Sequence, residues 1–128
     1  MSHLLKCAKM TSIKNFEELE IWKMSRDLVN TIYLDFRTCK DFGFRDQITR
    51  AGISIMNNIS EGFCRSGDVE FKRFLRISKG SAGEVKSLYY IGEDQNYISI
   101  NTAIERRNKS QRLINSIGSF IKYLDSSK

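Results

Sequence analysis

No proline occurs anywhere in this chain of 128 residues, and that absence narrows the fold more than any motif does. A helix continues wherever its apolar residues recur at helical spacing, because nothing removes a backbone donor or clashes with the preceding turn. Four stretches meet that condition. The first runs from about Phe16 to Thr38, where Leu28, Ile32 and Phe36 return every fourth residue and Leu19, Trp22, Val29 and Tyr33 widen the stripe. Lys40-Asp41-Phe42-Gly43 is expected to break it. The second, from about Phe44 to Phe63, aligns Ile48, Ala51, Ile55, Ile59 and Gly62. Arg65-Ser66-Gly67-Asp68 then supplies a turn and a helix start, with Glu70 suited to a first turn.

The third segment carries Phe71, Phe74, Leu75, Ser78, Ala82, Val85 and Tyr89 inward and ends near Gly92-Glu93-Asp94. Tyr97-Ile98 forms a corner, Ser99 is the expected N-cap of the fourth segment, and Ile100, Ala103, Ile114, Ile117, Ile121 and Leu124 make its stripe. Strand-type alternation is absent over useful lengths. Helices of about 20 residues joined by short turns pack antiparallel. The expectation is an all-α, up-down-up-down antiparallel four-helix bundle over residues 13–128, with residues 1–12 a disordered N-terminal tail.

Hydrophobic residues make up 41% of the chain, enough for one domain of this length to bury a core without metal or disulfides. Cys7, Cys39 and Cys64 are odd in number and far apart, and the single histidine is His3. That spacing disfavours structural zinc and a disulfide framework, and Cys39 and Cys64 read as buried or idle thiols. No metal site and no cofactor is expected. No segment is long and apolar enough to span a bilayer, and MSHLLKCAKM lacks the apolar run of a secretory signal. A cytoplasmic location is the default.

An enzyme is disfavoured on the same residues. No phosphate-cradling GxxxxGK[ST] or GxGxxG loop occurs, and without a histidine in the helical region a Ser-His-acid or Cys-His nucleophile has no base. Glu17 and Glu20 stand at an exposed helix start, where they complement the helix dipole.

Charge points elsewhere. The net charge is +6 and the isoelectric point about 9.3, which suits a polyanionic partner. At 100° per residue, Lys72, Arg76, Lys79 and Lys86 are expected on one outward face of the third helix, with Arg73 at its edge and Glu70 and Glu84 turned away. Arg106, Lys109 and Arg112 add charge on the fourth helix beside Glu105. These eight cations are the candidates for binding a nucleic-acid backbone, with little base readout; the alternative is an ordinary solvated face.

Gly80 and Gly83 fall on the same outer side, where glycine lowers helix stability by about 1 kcal/mol each unless another chain approaches. Arg107 falls in the apolar stripe of the fourth helix and needs a partner. Glu84, at a similar antiparallel height, is expected to supply it within or between subunits. On the second helix Ser54, Asn58, Glu61 and Arg65 share one flank beside Gly62, which reads as a seam setting the register between helices.

Taken together, several segments resemble the four-helix bundle proteins encoded in intervening sequences of 23S ribosomal RNA genes. The resemblance is carried by Asn15-Phe16-Glu17-Glu18-Leu19-Glu20-Ile21-Trp22, Asp46-Gln47-Ile48-Thr49-Arg50-Ala51, Ser54 to Gly62, Glu70 to Leu75, and Gly80-Ser81-Ala82-Gly83-Glu84. Met56 stands where the family usually has proline. The resemblance implies a left-handed bundle assembled as a ring-like homopentamer, without enzymatic activity. It also implies kinship with the accessory protein of diversity-generating retroelements, which binds nucleic acid and a reverse transcriptase. Two functions are therefore expected: a homo-oligomer binding RNA or DNA, or a scaffold whose basic face docks an acidic protein such as a reverse transcriptase.

Overall fold

The computed structural model describes residues 13–126; the expected tail, residues 1–12, lies outside them. Four long helices follow one another: α1 (Glu20–Phe36), α2 (Phe42–Cys64), α3 (Asp68–Asp94) and α4 (Ile100–Ser126). Each packs on its neighbours in sequence, and α1 closes the ring against α4. The all-α, up-down-up-down four-helix bundle is the observed architecture.

Helix one starts later than its periodicity suggests. Phe16–Glu18 forms a separate 3-10 turn, and Leu19 adopts an extended conformation (φ −71°, ψ 128°) before α1 begins. The Glu18 carboxylate accepts the backbone N–H groups of Lys14 and Asn15 at 2.9 and 3.2 Å, closing the turn on itself. The break drops Leu19 into the core, where it is fully buried. Its benefit is tertiary, so helical spacing alone does not reveal it.

At the other junctions the chemistry is local. Asp41 caps α2 through Phe44 N (3.1 Å), so Phe42 and Gly43 belong to the helix rather than to its break. Gly67 turns into α3 at φ 91°, a conformation that favours glycine. α3 ends in a Schellman motif: Asn96 sits at φ 61°, its N–H bonds Glu93 O (3.0 Å), and Tyr97 N–H bonds Gly92 O (2.9 Å). Ser99 caps α4 by accepting Thr102 N–H at 3.1 Å.

The core is layered along the bundle. One end is aromatic, with Phe36 against Phe44 and Tyr89 at centroid distances of 5.1 and 5.4 Å. The opposite end stacks Phe63, Phe71 and Phe120 at 6.0 and 5.5 Å. Between them lie branched and small residues from all four helices, among them Leu28, Ile32, Ile48, Ile55, Ala82, Val85, Leu113 and Ile117. Among the described residues no helix is long and apolar enough to cross a membrane.

Candidate functional site

The eight candidate cations do not form one surface. Lys72 is only 7% exposed, and its ammonium lies 2.6 Å from Asp125 Oδ1 on α4. It is not on the outward face, because that flank of α3 turns toward α4. Seven residues on, Lys79 lies beside Gly118, whose absent side chain leaves room 3.5 Å from the lysine Nζ. Seven further, Lys86 donates to Gln111 Oε1 at 2.7 Å. The pairs step by seven on both helices, as antiparallel helices in knobs-into-holes contact do. The row read as a solvent stripe is the rim of the α3–α4 seam.

Helix four differs in the same sense. Arg106 reaches α1, where Nε and Nη2 grip Asp35 at 2.8 and 3.0 Å. Tyr89 Oη donates to the same carboxylate at 2.8 Å, and Glu105 takes Arg106 Nη1 at 2.7 Å. Asp35 and Arg106 are 6% and 15% exposed, so this pair holds the α1–α4 seam rather than facing solvent. The charge on Asp35 and burial together push the Tyr89 phenol upward from its usual pKa, burial being the larger cause. Lys109 pairs with Asp27 and donates to Thr31 Oγ1 at 3.3 Å. Arg73 pairs with Glu70 at 3.0 Å and covers the Phe74 ring. Arg76, Lys79 and Arg112 stay exposed with no ion pair to any described residue, Arg112 on a different helix face from the other two.

The expected Glu84–Arg107 pair is not formed. Arg107 Nη1 lies 2.9 Å from Glu93 Oε1, an ionic contact in which neither atom is aligned for a hydrogen bond. The guanidinium carbon sits 3.9 Å above the Tyr90 ring centroid. Glu84 is exposed on the other flank of α3, because nine residues separate it from Glu93 and rotate it half a turn.

That flank holds a feature the charge pattern did not single out. Gly43, Asp46, Gln47, Arg50, Ala51 and Ser54 of α2 face Ser81 and Glu84 of α3 across an open cleft of about 630 Å³. Both segments were visible as motifs, yet only packing brings them together. At its floor Ser54 and Ser81 share a hydroxyl hydrogen bond of 2.9 Å. Asn58 Nδ2 donates to Ser54 O and Oγ at 2.8 and 3.1 Å, and Ser78 Oγ reaches Ile55 O at 2.7 Å. A Cβ on Gly62 would stand 2.7 Å from Phe74 Cβ, so the helices close tightly there. Glu61 pairs with its neighbour Arg65 at 2.9 Å on the surface and does not bridge helices. The α2–α3 seam therefore rests on Ser54, Asn58, Ser78 and Gly62.

Comparison with known proteins agrees with this architecture. A crystal structure from Bacteroides thetaiotaomicron VPI-5482, described as a protein with unknown function from the S23 ribosomal protein family, is similar with a TM-score of 0.74 and 24% identity. The match covers 80% of this chain and 98% of that one, and at this identity it shows the fold. A search of curated proteins finds no match. Residues 17–119 match the model of the 23S rRNA-intervening sequence proteins: the chain belongs to that family.

Proposed function

We propose that this chain is a non-enzymatic, homo-oligomeric nucleic-acid-binding bundle of the cytoplasm. The observation that carries the reading is that Arg76 and Lys79 lie together on one edge of α3, exposed and without an ion pair to any described residue, in a chain of net charge +6. Cations already matched by Asp125, Asp35 and Asp27 release few counterions on binding. The unmatched ones carry the affinity. Arg112 supplies a third contact from another face. The family's link to 23S ribosomal RNA genes supports a polynucleotide partner.

Self-association is supported by a second stripe on α3. Ile77, Gly80, Glu84, Ser87 and Ile91 recur at heptad-like spacing on the outer face, and both isoleucines are exposed. A Cβ on Gly80 meets nothing within 4 Å, which leaves the backbone open to a neighbouring helix. A non-enzymatic role is supported by the cleft, where Ser54, Ser81 and Asn58 bond to one another beside an opening to water. Fluorescence anisotropy with a structured RNA at two ionic strengths tests the binding reading. Affinity is expected to fall steeply with salt, and no binding at low salt sinks it.

A scaffold role is the second reading, favoured by the mixed charge of Asp46, Arg50 and Glu84 in the cleft. Such a lining suits a protein surface carrying both signs better than a purely acidic one. A reverse transcriptase or other partner docked there would be released by cleft substitutions and retained after nuclease treatment.

A further inference from the structure

We propose that the groove between α3 and α4 takes single-stranded nucleic acid, with Tyr90 as the platform on which a base stacks. The proposal rests on the nucleic-acid reading above and specifies its ligand. Three observations converge on it.

The first is the ring itself. Tyr90 is 50% exposed, although its ring lies against the Arg107 guanidinium, whose side chain is only 11% exposed. The tyrosine thus lids the arginine and turns its remaining surface to solvent. The buried cation beneath it, held by Glu93, fixes the ring, so little freedom is lost when a base stacks on it. Exposed Ile104, one turn before Arg107 on α4, extends the apolar floor.

The second is the row of charge leading to it. Arg76, Lys79, Lys86 and Tyr90 lie along the α4-facing edge of α3. At 1.5 Å per residue, Arg76 to Tyr90 spans about 21 Å, the reach of a few nucleotides. Lys86 donates to the neutral Gln111 and makes no ion pair to any described residue, so it keeps its net charge available.

The third is what the groove lacks. Gly83 lies between Lys79 and Lys86 on this edge, and a Cβ there meets nothing within 4 Å. Gly118 opposes Lys79 from α4. A backbone can approach α3 closely at Gly83, while Gly118 makes room for the Lys79 ammonium to lie along the groove. A duplex keeps its bases stacked within the helix, so it can use the charges but not the tyrosine face. Only an unpaired strand uses both, because every base offers a flat face for aromatic stacking.

Anisotropy titrations with labelled oligouridylate and with an RNA duplex of matched length test this. The wild-type chain is expected to prefer the single strand. Tyr90→Ala should weaken single-strand binding by about 5- to 150-fold, the range for loss of one stacked base, with duplex binding and salt slope unchanged. Tyr90→Phe should retain affinity. Gly83→Leu should obstruct the groove and weaken single-strand binding without altering charge. Lys79→Ala should reduce the salt slope by about one. Circular dichroism melts identify any variant that has lost its fold, and the single-strand preference of the wild type together with Gly83→Leu keeps the test decisive if Tyr90→Ala has. Equal affinity for the two forms, or wild-type affinity in Tyr90→Ala, overturns the stacking proposal while leaving backbone binding intact. Absence of binding to either overturns both, and favours a protein partner for this surface.

Discussion

At Asp35 one carboxylate serves three donors from two other helices, Tyr89 Oη and two nitrogens of Arg106. Removing it leaves a largely buried guanidinium with only the surface Glu105. Asp35→Ala is therefore expected to destabilise by about 3–5 kcal/mol, as when one partner of a buried pair is lost; urea unfolding measures it. Glycines give opposite expectations at two positions. Gly62→Ala drives a methyl against Phe74 and Phe71 and should destabilise by about 1–3 kcal/mol. Gly80→Ala enters open space and should stabilise dilute, monomeric protein by up to about 1 kcal/mol through helix propensity. If both variants shift the melting midpoint in the same direction, the local packing is not as described.

Between elements, Asp41 ties two corners together. One of its oxygens caps α2 and the other accepts Tyr97 Oη from the α3–α4 corner at 2.6 Å. The hydrogen bond from Tyr97, followed by that from Phe44 N, holds the carboxyl below its ordinary value of 3.8. The same bond raises the phenol to about 12. The signs follow from linkage. The Asp41 contribution is complete above the unfolded carboxyl value and is lost as pH falls through the lower folded one. The Tyr97 contribution is complete below its ordinary 10 and is lost as pH rises toward about 12. Asp41→Asn should return the phenol toward its usual range, which an ultraviolet absorbance titration reads. It should also remove the acid-side loss assigned to this residue. An unchanged phenol titration would contradict the contact.

For the whole molecule, the two edges of α3 make separable predictions. Ile77→Lys on the outer stripe is expected to reduce the mass seen by light scattering while the helical signal persists. Arg76→Ala on the α4-facing edge should leave that mass unchanged and lower the salt dependence of RNA binding. A mass that Ile77→Lys leaves untouched would place any subunit contact elsewhere, with the Asp46–Glu84 cleft the next surface to mutate. Arg106→Ala serves as the contrast. It should damage stability before binding, because its charge closes the bundle against α1.

Helix number, order and most of the apolar face of each helix were legible in the sequence, because helical periodicity is a property of a single segment; Tyr33 and Ile100, read into their stripes, are exposed. Ser99 as a cap and the Gly67 turn were legible for the same reason: their bonds close within a few residues. The seam at Ser54 and Asn58 was legible in outline, as polar residues bordering an apolar stripe. Which cation faces water was not. Lys72, Arg106 and Lys109 have the same side-chain types and similar helical settings as Arg76, Lys79 and Arg112, and only the neighbouring helix separates them. Asp125, Asp35 and Asp27 stand 53, 71 and 82 residues from their partners, and no local pattern encodes such distances. The convergence of Asp46 and Glu84 on one cleft, and of Arg107 beneath Tyr90, depends in the same way on the register between helices. Sequence periodicity determines which side of each helix enters the core. Rotation and register at the packed interfaces decide which charges are neutralised there, and so which remain for a partner.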